Sequence, residues 1–181
     1  MKIAICGKMC SGKSTLCNYI QDTFPDLKFQ RTAMAKRLKE LAIELFNMDP
    51  KIKNRDLLIK LGGKMREINQ NVWANYVIKE TSQLNSNMEA SNWLLDDCRY
   101  KNEFDILREN GWIIIKLNVS DQTQKNRLQL LYPNNFHIHQ QFHNHVTENE
   151  AISLDDSKFD LVLNEDYILN DLIYWIQLQL I

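Results

Sequence analysis

Residues 7 to 14 read Gly-Lys-Met-Cys-Ser-Gly-Lys-Ser, a complete G-x-x-x-x-G-K-[ST] pattern. The apolar run Ile3-Ala4-Ile5-Cys6 precedes it, and Leu16, Tyr19, Ile20 and Phe24 follow at helical spacing. A strand, a glycine-pinned loop and a helix in that order form a phosphate cradle. Successive backbone N–H groups turn inward, Lys13 reaches the β- and γ-phosphates, and the Ser14 hydroxyl ligates Mg²⁺. The first turn of the helix adds its positive dipole end. Gly7, Lys8, Met9, Cys10, Ser11, Gly12, Lys13, Ser14 and Thr15 are therefore the expected ATP-binding set. A glycine-rich turn with no ligand would not need this context on both sides.

The chain beyond the loop has to supply a fold that presents it. Strand-like runs alternate with helical ones from end to end. Strands are expected at Lys2–Cys6, Leu27–Gln30, Trp93–Leu95, Trp112–Leu117 and Phe159–Leu163. Helices are expected at Met34–Phe46, Arg55–Ile68, Val72–Leu84, Glu103–Glu109, Thr123–Leu131 and Tyr167–Leu180. Gly62-Gly63 is expected to interrupt or end the second of these. Apolar strands joined through helices imply an α/β chain with a parallel sheet covered on both faces. Ligands of such sheets bind beyond the carboxyl ends of the strands. That places chemistry at the loop, around Asp97, and after Leu117.

The 181 residues suffice for a single domain, 1–181, with its own core. A net charge of −1 leaves no footprint for long nucleic acid and disfavours a helicase or packaging motor. Small anionic substrates need only a few local cations. Cys6, Cys10, Cys17 and Cys98 form no C-x-x-C pair, which suits reduced thiols and a cytoplasmic protein. The apolar start is too short for a signal peptide, and no run is long enough for a membrane span.

Two further clusters carry candidate chemistry. Asp97-Cys98-Arg99 ends an apolar strand, where P-loop proteins hold Mg²⁺ or its waters. A lone Asp in that place also commonly caps the next helix. The Arg two positions on adds a group able to neutralise a transferring phosphoryl. Arg55, Arg66 and Trp73 lie on the helices between the second and third strands. On sequence alone they read first as a solvated charged face with a packing Trp, and second as a guanidinium for a monophosphate and an indole for a base.

Taken together, these segments resemble the deoxynucleoside monophosphate kinases of bacteriophages and other viruses, a branch of the P-loop nucleotide kinases. The resemblance runs through Gly7–Ser14, Lys36, the Arg55-Asp-Leu-Leu-Ile-Lys-Leu-Gly62 segment, Asn71-Val-Trp73 and Asp97-Cys-Arg99-Tyr-Lys-Asn-Glu103. It continues through Gly111-Trp-Ile-Ile-Ile, His145-Val-Thr147-Glu148 and Phe159-Asp-Leu-Val-Leu-Asn164. It implies a three-layer P-loop NTPase fold of nucleotide-kinase type with about five parallel strands. An acceptor-binding helical insertion would span about 33–86 and a lid-like segment about 120–146. The implied activity moves the γ-phosphoryl of ATP to a deoxynucleoside 5′-monophosphate, with Mg²⁺. Lys13, Asp97, Arg99 and Arg127 are the implied catalytic residues, and Ser14 and Asp97 the implied metal holders. Lys36, Arg66, Trp73, Arg99, Glu103 and His145 are implied on the acceptor side. The implied partners are small-molecule nucleotides, with no membrane and with a monomer or homodimer both open.

The lid-like segment departs from the nucleotide-kinase pattern in holding a single arginine, Arg127. His137, His139, His143 and His145 crowd into it without a cysteine to complete a zinc site, and read as polar loop residues, His145 apart. Two other functions stay open at this point. One is a P-loop kinase for another small phosphorylated metabolite or nucleoside. The other is a nucleotide-binding protein without turnover.

Overall fold

Five parallel strands form the middle layer of the molecule. The structure, a computed structural model, describes residues 1–52, 54–83, 92–134, 136–137, 150–166 and 169–179. The strands are β1 (Lys2–Gly7), β2 (Gln30–Thr32), β3 (Trp93–Cys98), β4 (Ile113–Asn118) and β5 (Leu161–Asn164). The helices are α1 (Lys13–Thr23), α2 (Met34–Phe46), α3 (Arg55–Ile68), α4 (Val72–Gln83), α5 (Lys101–Glu109), α6 (Asp121–Leu131) and α7 (Leu169–Leu178). The sheet order is β2-β3-β1-β4-β5, with every adjacent pair parallel. This is the expected three-layer α/β fold.

Apolar strands buried on both faces explain the layering. Ile3 and Ile5 of β1, with Leu94 and Ile115, pack on Leu16, Cys17 and Ile20 of α1 and Leu172 and Ile176 of α7. Ala4 and Cys6, with Leu95 and Ile114, face the opposite layer. That layer holds Leu38 and Ala42 of α2, Trp73 and Val77 of α4, and Phe104 and Leu107 of α5. Each fully buried Ile or Leu contributes about 1.5–3 kcal/mol, so the two layers carry the stability of the domain. All four cysteines are free thiols, and burial pushes Cys17 up to about 12.

Several boundaries differ from expectation for local reasons. Pro25–Leu27 forms a 3₁₀ turn closed by Lys28 in the left-handed region, so β2 begins at Gln30 rather than ending there. Gly62-Gly63 does not interrupt α3. A Cβ on Gly62 would lie 3.1 Å from Leu38 Cδ2, so the missing side chain lets α2 and α3 approach closely. Asp156–Lys158 forms another 3₁₀ turn, which delays β5 to Leu161 and leaves Phe159 as an edge-on partner of Phe104 at 5.2 Å.

The strongest tie between the sheet and the helical insertion is Asp97. The N-cap residue of α2 is Ala33, whose side chain cannot cap. Asp97 does it from β3, accepting the Met34 N–H at 2.7 Å and the Ala35 N–H at 2.9 Å. Burial nonetheless pushes its carboxyl above the ordinary range, with these two N–H groups pulling the other way. A folded-state pKa raised in this way makes the native state hold the proton more tightly, so this group's contribution to stability declines as pH rises from the ordinary carboxylate range through the raised value. Asp97→Ala should lower urea-unfolding stability by about 1–3 kcal/mol at the acidic end of that window, through two orphaned amides. The difference from wild type should shrink toward neutral pH.

Candidate active site

The phosphate loop is shaped before any ligand arrives. Gly7 ends β1, where a Cβ would meet Ser11 Oγ at 2.6 Å and Leu117 O at 3.1 Å. Cys10 (φ 61°) and Gly12 (φ 102°) both turn through the left-handed region, which costs Cys10 strain that glycine avoids. The Ser11 N–H donates to Lys8 O at 3.2 Å and closes the turn. Lys13 Nζ donates to Gly7 O at 2.7 Å and Lys8 O at 2.6 Å, which holds its charge over the loop. α1 starts at Lys13, so its first N–H groups belong to the cradle.

α6 braces the loop from outside. Arg127 Nη1 donates to Ser11 O at 3.0 Å and Cys10 O at 3.3 Å. Lys8 pairs with Asp121 at the start of the same helix. Ser120 caps that helix by accepting the Thr123 N–H. Arg127 therefore stands at the phosphate loop itself.

The carboxylate beside Ser14 belongs to Asp96, and Asp97 is turned away. Ser14 Oγ donates to Asp96 Oδ2 at 2.6 Å, and Arg31 Nη2 meets the same oxygen at 2.5 Å. Arg31 Nη1 also donates to Asn18 Oδ1 at 2.9 Å. Neighbouring strand residues point to opposite faces, so Asp96 follows Leu94 toward α1 while Asp97 follows Leu95 toward α2. Where Ala4 pairs with Leu95, Cys6 pairs with Cys98, so β3 carries one extra residue there. A hydroxyl and a carboxylate at the loop mouth are the hard-oxygen donors that suit Mg²⁺, which takes few protein ligands beside phosphate oxygens and water. Ser14 and Asp96 fit that ion, whereas Asp97 spends both oxygens on α2. Sequence reading expected the metal at Ser14 and Asp97, whereas the carboxylate that meets Ser14 is that of the neighbouring Asp96.

A cavity of about 370 Å³ opens beside this pair at the carboxyl ends of β2 and β3. Its wall includes Arg31, Thr32, Lys36, Lys39, Glu40 and Asp96. Lys36 is thus where an acceptor site would need it. Its ammonium pairs with Glu80, which holds it protonated more firmly than usual and also accepts from Thr32 Oγ1. Arg31 and Lys39 were not anticipated, although both follow from simple position. Arg31 lies in the short strand, and Lys39 is one helical turn past Lys36.

The remaining acceptor-side candidates gather elsewhere. Trp73 is only 2% exposed and packs in the core, with Nε1 donating to Gly62 O at 3.4 Å. Ala74 and Val77 share its buried face, so helix packing claims the indole. Arg66 Nη2 pairs with Glu103 Oε1 at 3.1 Å, and its guanidinium lies 4.3 Å from the Tyr100 ring centre. Glu103 also accepts the Arg99 and Tyr100 N–H groups. Burial pushes its carboxyl up, against those donors and Arg66. The Arg99 backbone carbonyl accepts the Ala151 N–H at 2.8 Å, and its charge lies near enough to Asp97 to draw that carboxyl down slightly. His139, His143 and His145 lie outside the described residues. Among those described, no group of three or more metal-ligating His, Cys, Asp or Glu side chains occurs, and no helix is long and apolar enough to cross a membrane.

Comparison with known proteins agrees with this geometry at the level of fold. No curated protein matches the chain. Solved structures that resemble it include a protein from Thermus thermophilus, with TM-score 0.56 and 15% identity over 99% of this chain and 96% of that one. A sugar kinase from Janibacter gives TM-score 0.55 and 14% identity over 97% and 91%. A shikimate kinase from Bacteroides thetaiotaomicron gives TM-score 0.50 and 15% identity over 93% and 88%. Identities this low establish a shared P-loop kinase fold. A family model described as the AAA domain matches residues 3–138, around the phosphate loop and the first four strands, and the chain belongs to that family.

Proposed function

We propose that the protein transfers the γ-phosphoryl group of ATP to a small acceptor that already carries a phosphate, with a deoxynucleoside 5′-monophosphate as the first acceptor class. One observation carries the reading. Asp96 bonds Ser14 of the phosphate loop and also lines the cation-rich cavity, so the donor and acceptor sides meet at one carboxylate. Phosphoryl transfer requires that juxtaposition and little else from the protein beyond positioning and charge.

In this reading Gly7–Thr15 hold the donor phosphates. Lys13 and Arg127 place positive charge against the transferring group. Ser14 and Asp96 hold Mg²⁺, which when bound neutralises the β- and γ-phosphate oxygens. Arg31, Lys36 and Lys39 receive the acceptor phosphate, and Arg99 adds a cation at the end of β3. Asp97 acts by fixing α2, the helix that presents Lys36 and Lys39. Arg66, Glu103 and Trp73 act by fixing α3 and α4 behind it.

A second acceptor class is favoured by one feature. Among the described residues the acceptor cavity has no aromatic side chain in its wall, since Trp73 is in the core. Base stacking therefore has no partner there, and a phosphorylated metabolite without a base would fit as well. The acceptors named for two of the structural neighbours, a sugar and shikimate, carry no base.

The full-length protein, incubated with Mg-ATP and each of the four common deoxynucleoside monophosphates, should form the matching diphosphate. ADP release with a base-free phosphorylated acceptor alone would select the second class, and transfer to none of a broad panel would sink the kinase reading. Lys13→Ala should lower kcat by about 100-fold or more, the cost of losing a preorganised charge on the transferring group. Lys36→Met should instead raise the acceptor KM by about tenfold, the worth of one charge-assisted hydrogen bond, with the KM for ATP unchanged in initial-rate kinetics.

A further inference from the structure

A second cavity, of about 210 Å³, lies on the β4 side of β1, whereas the acceptor cavity lies on the β2–β3 side. Lys8, Lys116, Asn118 and Ser153 supply its polar wall, and among the described residues no carboxylate lines it. Lys8 is the loop residue after Gly7. Gly7 pairs in register with Leu117, so Lys8 and Asn118 continue side by side from neighbouring strands. The cavity therefore shares Lys8 with the phosphate loop and lies apart from the acceptor wall.

Lys116 is the informative residue. β4 reads Ile-Ile-Ile-Lys-Leu-Asn, and alternation puts Lys116 on the same face as fully buried Ile114. Lys116 is itself only 8% exposed and pairs in register with Cys6. An ammonium is costly to desolvate at such a position, where another isoleucine would complete the strand pattern. Its ammonium lies over the Phe159 ring, with Nζ 5.1 Å from the ring centre. Nζ donates to Asp156 Oδ1 at 2.7 Å, but the Asp156 side chain is 61% exposed, and the next acceptor, Leu154 O, is at 3.4 Å. Of these contacts only the Asp156 bond is short, so an anion in the cavity would compete with the long Leu154 contact rather than with a full set of strong bonds. Lys8 is held in the same loose way, by an Asp121 side chain 71% exposed.

We propose that this cavity is a second anion subsite, built to take a phosphate-type group through Lys116 and Lys8, with Asn118 and Ser153 as neutral hydrogen-bonding partners. The bound group comes either from the terminal phosphate of a nucleotide in the loop or from a second anionic group on the acceptor. Only that choice of source rests on the phosphoryl-transfer reading, since the subsite itself stands on the cavity and its lysines.

Calorimetric titration of inorganic phosphate into the full-length protein tests it, with Lys13→Ala as the background that weakens the donor cradle. Lys13→Ala is expected to retain phosphate binding. Adding Lys116→Met should weaken that binding by about tenfold or more, the worth of a charge-assisted hydrogen bond. Adding Lys36→Met should leave the Lys116-dependent binding in place. Asn118→Leu fills the cavity from the strand end without touching the core, and should weaken phosphate binding alongside Lys116→Met, with urea midpoints confirming that both variants are folded. Repeating the titration on wild type saturated with Mg²⁺ and the non-hydrolysable analogue AMP-PNP separates the sources. Loss of the Lys116-dependent binding assigns the subsite to the nucleotide's terminal phosphate, and retention assigns it to the acceptor. No phosphate binding in Lys13→Ala, or equal binding with and without Lys116→Met or Asn118→Leu, overturns the proposal. Failure of AMP-PNP to bind while Lys116-dependent phosphate binding persists overturns the phosphoryl-transfer reading and leaves the subsite standing.

Discussion

The burial of β1 from Ile3 onward is the constraint on which the site depends. Ile3, Ala4, Ile5 and Cys6 are inaccessible to solvent, and the strand is hydrogen-bonded to β3 on one side and β4 on the other. A strand so fixed can present its carboxyl end to a ligand only if the chain turns at once, against the carbonyl of Leu117. Gly7 permits the turn because it has no Cβ to meet Ser11 Oγ and Leu117 O. The loop therefore inherits the rigidity of the most buried strand. Its amides are aimed before a phosphate arrives, which is how an electrostatic site avoids reorganising at the moment of reaction.

The end of β3 performs two tasks with two adjacent acids. Asp96 faces the loop and shares Ser14 and Arg31; Asp97 faces the insertion and caps α2. Strand alternation separates the two carboxylates, and the extra β3 residue opposite β1 ends that alternation before Cys98. One consequence is that the phosphate loop and the wall proposed for the acceptor are mechanically joined. The helix that carries Lys36 and Lys39 is hung from the residue next to the loop's own carboxylate. A shift of α2 would be felt at Asp97 first and at Asp96 through one peptide.

Much of this was legible in the sequence because it rests on local patterns. The G-x-x-x-x-G-K-[ST] loop, the apolar strands and the amphipathic helices each announce themselves within ten or fifteen residues, and the parallel three-layer sheet follows from their alternation. What was not legible depends on facing. Asp96 and Asp97 are indistinguishable until the parity of β3 relative to β1 is known. Trp73 has the chemistry to stack on a base and the helical position to enter a core, and only the packing of α4 against α2 and α3 decides for the core. Arg66 and Glu103 lie 37 residues apart and look like independent site residues until the fold makes them partners. Gly62-Gly63 reads as a break by propensity, yet tertiary packing overrides it, because a close approach to Leu38 needs a residue without a side chain.

Arg127 shows why a positioned charge and a structural brace are hard to tell apart in this loop. Its Nη1 bonds two carbonyls that the loop turns outward as its amides turn inward. Those bonds hold Cys10 and Ser11 in the strained turn at Cys10 and place the guanidinium charge within the same few ångströms. A neutral side chain would remove both effects at once. Lysine would keep the charge but not the fixed, in-plane direction of the two Nη1–H groups. The sparse arginine content of the segment after β4 follows the same logic. A loop already held by Lys13 on its own carbonyls and by α6 through Arg127 and Lys8 has three cations fixed around it by the folded chain.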